Sequence, residues 1–359
     1  MQFSSLTKIP KSLCGYEDLK GITFQKGMGT MYDKAQRLVK LSKLIAGNNP
    51  SIERTALLAK ADLTTSLVFE FTELQGFIGA DYARVSNEPE NVCEGIKEHY
   101  FPLNADGEIA KTKEGQIVGI ADKMDTICAV FAEGKKPTGS SDPLGVRRAA
   151  LGIIRTVLAN DLKIDLIKLI NETLLLLPVS TEGENVLDKV KNLTGSCTNR
   201  LSGKCTEEIN EFFIQRLIIF LSDKYDKNVE ACAANKNPLA DLTDYIKRVE
   251  TVSKLNSPAL LESANRVLRI LKEDSKKAVN KSLFKEPAEN MLLEQINTVS
   301  DDMDYDTYLK QLEEINPSVE KFFNDVLVMD KDENVKENRL AILTLLKSKY
   351  NHLADFSRL

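Results

Sequence analysis

Histidine and tryptophan are almost missing from this sequence. Its 359 residues include two histidines, His99 and His352, and no tryptophan. Histidine is the side chain that proteins use most often to hold a catalytic metal or to move a proton near neutral pH. Two copies, far apart in the chain, leave little material for a histidine-based metal centre. The sequence therefore argues against enzymes that depend on several histidines.

Paired cysteines and long apolar runs are missing too. None of the six cysteines belongs to a C-x-x-C pair, and a chain of this length does not need disulfides to replace a core. No apolar run approaches the roughly 20 residues that a membrane-spanning helix requires. The first residues also lack the basic and apolar pattern of a secretory signal. We therefore expect reduced cysteines and a cytoplasmic protein without a membrane span.

An excess of positive charge is the third absence. The 48 lysines and arginines are outnumbered by 53 acidic residues, which gives a formal net charge of −5. A protein that binds nucleic acid over its whole surface needs a basic footprint, so this class is excluded, whereas a local basic patch is not. The apolar content of 42% is sufficient for a substantial core in two or three domains.

Helical spacing of apolar residues dominates what is present. Apolar side chains recur three and four positions apart in most segments, as in the stretch 166–170. Alternating, strand-like runs are rare and short. The best strand candidate is Gln116–Ile120, which leads into the sequence ADKMDT, where a helix would begin. We predict a mostly α fold.

Polar connectors divide the chain into three predicted regions. A first helical domain covers 28–177 and ends before the polar stretch VSTEGEN, a helical connector region covers 178–240, and a last helical block covers 241–359. Within the last block, Ser257-Pro258 and Asn316-Pro317 are both typical of helix starts.

Two aspartates, sixty positions apart, lie in similar helical surroundings: Asp62 follows Lys60-Ala61, and Asp122 precedes Lys123. This arrangement is similar to the HD-type helical fold, in which a His-Asp doublet and a later aspartate hold a metal that activates water. Ala61 stands where the histidine of the doublet belongs. Without a metal, two nearby carboxylates repel each other unless a cation compensates them, and Lys60 and Lys123 adjoin them in the sequence. Asp62 and Asp122 are therefore interpreted as remnants of a degenerate site that form structural ion pairs or helix caps.

His99, in the sequence EHYFP, has three possible roles. It could be a surviving metal ligand, a nucleic-acid contact, or a histidine satisfied by a neighbouring carbonyl. No second histidine occurs in this half of the chain, so we expect the carbonyl contact.

Arginines mark a predicted helix after the turn-rich sequence PTGSSDP. Asp142 is expected to cap this helix, Pro143 to occupy its first turn, and the helix to run to about residue 159. Arg148 and Arg155 are seven positions apart and share a face, while Arg147 points about 100° away. Such a cluster near a helix start suits phosphate contact. Pairing with acidic helices of the same domain is the alternative.

A second basic stripe lies in the last block. Arg266, Arg269 and Lys272 follow one another at intervals of three, which places them on one face if the helix continues through them. The stripe is a candidate RNA-binding face in an otherwise acidic chain, and an ordinary solvated helix face is the alternative.

The order and spacing of these motifs resemble the beta subunit of bacterial-type glycyl-tRNA synthetase along nearly the whole chain. The resembling segments are GMGTMYDKAQRL, KADLTTSLVFEFTELQGFIGADYA, EHYFP, ADKMDT, PTGSSDPLGVRRAALGI, SANRVLRIL and VEKFFNDVLVMDKDENVKENRLAILTLLKSKYNHLADFSRL. The resemblance implies that 28–177 is an HD-like helical domain and that 241–359 is a DALR-type anticodon-binding domain. Family members usually have a long region before GMGTMYDK, which makes 1–27 an amino-terminal remnant and the chain a split subunit, a fragment or an engineered piece.

The resemblance also implies a division of labour. The family's alpha subunit carries the class II catalytic core that uses ATP, Mg and glycine, and the beta subunit supplies most of the tRNA binding. This chain would then bind tRNA(Gly) without catalytic residues, a metal or a cofactor of its own. Its partners would be the alpha subunit and, as a further candidate, the missing amino-terminal part of beta. Arg266 matches the family most directly, whereas Arg269 replaces an asparagine that is usual there.

Two other functions stay open at this point. One is a metal-dependent HD-type phosphohydrolase that uses Asp62 and Asp122. The other is a purely structural helical scaffold for subunit assembly.

Overall fold

The computed structural model describes residues 13–137, 142, 144–178, 197–226 and 228–359. The predicted connector VSTEGEN and Pro143 lie outside these residues. The described residues group into two compact units, unit 1 within 1–217 and 239–243, and unit 2 within 218–238 and 244–359. The predicted domain limits stay predictions, because compactness alone does not define a domain family.

The mostly α prediction is confirmed. In the described ranges there is no β-strand, and Thr23 and Thr30 form an isolated antiparallel bridge. The helices of unit 1 are α1 (Met31–Ala46), α2 (Pro50–Leu58), α3 (Ser66–Glu70), α4 (Phe77–Val85), α5 (Glu90–Glu98), α6 (Lys113–Ala132), α7 (Val146–Ala159) and α8 (Leu166–Leu176). Helix α9 (Cys197–Tyr225) begins in unit 1 and continues into unit 2.

Helix α6 is the centre of unit 1. Sixteen of its twenty residues are buried, and α1, α2, α5, α7 and α8 all pack around it. The prediction of a strand at Gln116–Ile120 was wrong, as was the helix start expected at ADKMDT, because both lie inside α6. A helix that is buried on nearly every side has no separate solvent-facing polar stripe, so its sequence lacks the helical period of an amphipathic helix. Its start is fixed by Thr112, whose hydroxyl accepts the Gly115 amide at 3.1 Å.

The sequence GMGTMYDK forms the start of α1. Thr30 and Asp33 make a capping box, in which each side chain accepts the other residue's backbone amide. Gly29 has φ of 81°, and a Cβ there would lie 2.7 Å from the Asp33 carboxylate. Glycine is required because it both tolerates this backbone conformation and leaves room for the cap.

Unit 2 is also helical, and the longest connection between its helices is 271–286. After α10 (Asn228–Asn235) come α11 (Leu242–Val252), α12 (Pro258–Ile270), α13 (Pro287–Thr298), α14 (Tyr305–Asp325) and α15 (Glu333–Leu353). Ser257 caps α12, with Pro258 in its first turn, so that predicted start is confirmed. The start predicted at Asn316-Pro317 was wrong, because Pro317 lies inside α14 and Asp304 provides the cap.

Candidate functional site

Asp122 lies at the centre of a buried ion-pair cluster in unit 1. One carboxylate oxygen is 2.9 Å from the ammonium of Lys34, and the other is 2.8 Å from that of Lys60. Each of the three residues is no more than 8% exposed. Burial would raise the pKa of Asp122, but the two ammonium groups outweigh burial and hold it well below its usual range. Asp122 is therefore an ionised, doubly paired carboxylate.

Asp125 extends the cluster by one turn of α6. Its carboxylate pairs with Lys34 at 3.0 Å and with the Arg37 guanidinium at 2.6 Å. Lys34 also donates to the Thr126 hydroxyl. Because Lys34 and Arg37 both come from α1, the cluster ties α1 to α6 through charge-assisted hydrogen bonds.

Asp62 has a different environment from Asp122. One oxygen accepts the Gly76 amide at 2.6 Å, and the other finds no donor among the described residues. Burial raises the pKa of Asp62, opposed by the Gly76 hydrogen bond and by the charge of Lys60. Burial of the phenol group raises the pKa of Tyr100, and the charges of both aspartates raise it further; the ring lies 3.8 Å from the Lys60 ammonium. The structure therefore brings the two predicted aspartates near Lys60 and Tyr100.

Ammonium groups take the place that a metal ion would need in this cluster. Lys34 and Lys60 contact both oxygens of Asp122, and Ala61 provides no ligand atom. Among the described residues, no group of three or more His, Cys, Asp or Glu side chains is arranged to hold a metal. Of the two alternatives stated for Asp122, an ion pair or a helix cap, the structure shows the ion pair. The partner is Lys60, as the sequence suggested, and also Lys34, which it did not.

His99 and Lys123 both bind backbone carbonyl groups. His99 is fully buried, and its Nδ1 lies 2.6 Å from the Ile96 carbonyl oxygen, which confirms the predicted carbonyl contact. Burial and the Lys60 charge hold the pKa of His99 well below its ordinary value, so the ring is neutral. Lys123 donates to the carbonyls of His99 and Phe101. Lys123 therefore fixes the EHYFP segment and does not compensate the aspartates by direct contact.

The pH dependence of stability should reveal Lys123. Burial lowers its pKa from 10.5 to about 8. Between these values the unfolded chain binds more protons, so the contribution of Lys123 to the unfolding free energy should rise with pH, by up to about 3 kcal/mol. We expect wild type to gain stability relative to Lys123→Met between pH 8 and 10, measured by urea unfolding. Parallel pH profiles of the two proteins would contradict this assignment.

The arginines of α7 have separate roles. Arg155 donates to the carbonyls of Ala105 and Gly107, so it fixes a loop of its own unit. Arg148 is exposed and forms no ion pair with a described residue, which leaves it available for a phosphate. The helix starts after Gly145, three residues later than Asp142, yet the Asp142 carboxylate still accepts the Arg147 amide at 3.2 Å. The predicted end at residue 159 is confirmed.

The basic stripe of unit 2 is shorter than predicted. Helix α12 ends at Ile270, so Lys272 lies beyond it and does not continue the face of Arg266 and Arg269. Both arginines are exposed. The guanidinium of Arg266 lies 4.3 Å from the centre of the Phe323 ring, and no sequence motif points to Phe323. The two helices that meet here, α12 and α14, are far apart in sequence, and only the fold reveals the pair.

Two protein-family models match successive parts of the chain. The model of the family described as "Glycyl-tRNA synthetase beta subunit" matches residues 11–234, and that of the "DALR anticodon binding domain" matches residues 260–352. The second match places α12, α13, α14 and most of α15 in a class of domains described as anticodon-binding. The first covers more than half of the chain. The chain belongs to the glycyl-tRNA synthetase beta subunit family.

Curated relatives carry the corresponding name. Proteins called glycine–tRNA ligase beta subunit are 33% identical in a Geobacter species, 34% in Gloeothece citriformis and 34% in Syntrophus aciditrophicus. These alignments cover 94–96% of this chain and 50% of each relative. The chain therefore spans about half the length of the curated relatives that it matches. No described helix is long and apolar enough to cross a membrane.

Proposed function

We propose that this chain is the tRNA-binding part of a glycine–tRNA ligase beta subunit. It supports the ATP-dependent attachment of glycine to tRNA(Gly), which the alpha subunit catalyses. The observation that carries the proposal is the succession of two family matches along one chain, the beta-subunit family at 11–234 and the anticodon-binding domain at 260–352. The second match supports an RNA-binding role for unit 2.

The proposed division of labour leaves the chemistry to the alpha subunit. ATP and Mg are used by the assembled enzyme, and this chain binds neither. Its partners are tRNA(Gly), the alpha subunit and the part of beta that corresponds to the other half of the relatives. The buried cluster in unit 1 supports a non-catalytic role, because Lys34 and Lys60 already neutralise Asp122. A divalent cation would have to displace both ammonium groups, which disfavours the metal-dependent phosphohydrolase.

Binding of tRNA tests the proposal directly. We expect the chain to bind tRNA(Gly) more tightly than an unrelated tRNA at moderate salt. Charge reversal at Arg148 or Arg269, both exposed, should weaken binding and lower the slope of log affinity against log salt by about 1 for each lost phosphate contact. Filter binding over a series of salt concentrations measures both quantities.

A matched control is Lys163→Glu, which reverses an exposed charge in unit 1 outside α7. It should leave affinity and salt slope close to those of wild type. Equal affinity for all tRNAs would contradict the proposed recognition. If the chain copurified with the alpha subunit and showed no affinity for tRNA, a purely structural scaffold would replace tRNA binding as the function of this chain.

A further inference from the structure

A small cavity lies between α12 and α14 in unit 2. Its volume is about 210 Å³, and it is open to solvent on one side. Residues from one face of α12 and from the last turns of α14 line it: Glu262, Ser263, Arg266, Glu320, Phe323 and Asn324. The cavity falls within residues 260–352, the part of the chain that matches the anticodon-binding domain.

Arg266 forms a flat platform in this cavity. Its guanidinium carbon is 4.3 Å from the centre of the Phe323 ring, and one of its nitrogens is 3.5 Å from the Phe323 carbonyl oxygen. Phe323 is 7% exposed, so it holds the guanidinium from the protein side. Arg266 itself is exposed. A guanidinium that is stacked on one face and free on the other can stack a nucleotide base.

The polar groups around the platform are suited to a base and unsuited to a phosphate. Glu262 and Glu320 are exposed, and neither forms an ion pair with Arg266. Two carboxylates and one guanidinium give the cavity a net negative charge, which repels phosphate. Carboxylates accept hydrogen bonds from the exocyclic amino group of a base such as cytosine. Asn324, also exposed, supplies an amide that can both donate and accept.

Part of this lining is fixed before any ligand arrives. The buried Asn316 donates to one Glu320 oxygen at 3.0 Å, one helical turn away in α14. That bond restricts the Glu320 side chain and leaves its other oxygen for a ligand. Stacking against the Phe323 ring likewise restricts the Arg266 guanidinium. A preorganised site loses less conformational entropy on binding.

We propose that this cavity binds one unpaired cytosine of the tRNA anticodon. The inference rests on the proposed function and adds the base and the residues that read it. The base stacks on the free face of Arg266, its N4 amino group donates to Glu262 or Glu320, and the Asn324 amide donates to its N3 or O2. Uracil carries a carbonyl in place of the amino group, which the carboxylates repel. Glycine codons begin with two guanines, so every glycine anticodon ends in two cytosines.

Binding of an anticodon stem-loop RNA to the full chain tests this inference. The probe is the tRNA(Gly) stem-loop, compared with two versions in which one or the other cytosine is replaced by uracil. We expect one of the replacements to weaken binding roughly 5- to 150-fold. Glu262→Gln combined with Glu320→Gln should remove most of this discrimination, because glutamine amides can donate to the uracil carbonyl.

The role of Arg266 as a stacking surface has its own test. Arg266→Lys keeps the positive charge and removes the planar group, so affinity for the cytosine probe should fall roughly 5- to 150-fold. Arg358→Lys changes an exposed arginine of unit 2 that lies outside the cavity and outside residues 260–352, so it is the matched control and should bind like wild type. Circular dichroism of each variant verifies that the helices are intact.

The outcomes separate this inference from the proposed function. If the chain prefers the glycine stem-loop but Arg266→Lys binds it normally, the cavity is not the base site and the function stands. Unchanged cytosine discrimination in the double glutamine variant would also overturn the role of the carboxylates. If no stem-loop binds, the proposed function fails together with this inference.

Discussion

Replacement of Asp122 by asparagine is expected to lower the unfolding free energy of unit 1 by about 3–5 kcal/mol. Asparagine preserves the shape of the side chain but removes the negative charge between Lys34 and Lys60. Lys60 is 4% exposed and forms no other ion pair among the described residues, so its ammonium would stay buried without a directly paired anion. Lys34 retains Asp125, which makes Lys60 the main source of the loss.

Asp62→Asn is the matched comparison, because it changes the same atoms in a second buried aspartate. The raised pKa of Asp62 means that its ionised form is disfavoured in the folded state, so removal of the charge should be neutral or slightly stabilising at pH 7. Urea unfolding followed by circular dichroism compares the two variants. Equal losses would show that the ion pairs of Asp122 are not the cause.

Acid should lower the stability of wild type and of Asp122→Asn to different extents. The pKa of Asp122 is lower in the folded state than in the unfolded chain, so its contribution is complete above the unfolded value near 3.9 and is lost as the pH falls through the folded value. Wild type should therefore lose more stability than Asp122→Asn when the pH is lowered below 4.

The second large effect is expected at Arg339 in unit 2, where Arg339→Ala should cost about 3–5 kcal/mol. Its guanidinium pairs with Glu289 at 3.0 Å and with Asp330 at 2.9 Å, and it donates to the Leu327 carbonyl. Glu289 is fully buried and also accepts the backbone amides of Lys285 and Glu286 at the start of α13. Alanine would remove the only cation that neutralises Glu289 in the described residues.

Hydrogen exchange measured by mass spectrometry can locate this loss. Arg339→Ala should increase exchange in α13 and α15, whose packing the guanidinium secures. Lys336→Ala removes a more exposed cation of the same helix, which pairs with Glu333, and should cost less than about 1 kcal/mol. If both variants unfolded alike, the buried pair would not be a major source of stability.

Asn338, which precedes Arg339 in the sequence NRLAILTLL, also has a structural role. Its side chain accepts the backbone amide of Asn280 and donates to the Asn280 carbonyl.

Local signals in the sequence predicted the helices and several of their ends. Ser257 with Pro258, and the end of α7, were readable because a cap depends on a few neighbouring residues. The errors arose where burial or tertiary packing, and not local sequence, determines the secondary structure. Gln116–Ile120 lacks a helical period because α6 is buried on all sides, and Pro317 is tolerated within α14, although proline usually marks a helix start.

Contacts between residues far apart in the sequence were harder to predict. The sequence pointed to Asp122 and Lys60, but it did not point to Lys34, which lies 88 positions before Asp122. Lys123 was expected beside the aspartates because it adjoins Asp122 in sequence, yet neighbours on a helix point about 100° apart. Arg155 was a candidate RNA contact because it shares a helix face with Arg148, whereas in the fold it donates to the backbone carbonyls of a loop.

The compensation of Asp122 by two lysines bears on how such a domain can change by mutation. A metal centre at this place would need a ligand at residue 61, where the alanine is 4% exposed, and loss of both ammonium groups. Removal of either lysine alone leaves a partly unneutralised carboxylate in a buried setting, and a bulky ligand alone leaves the competing cations in place. Each single step is unfavourable, so an evolutionary route from this cluster to a hydrolase would require coordinated substitutions.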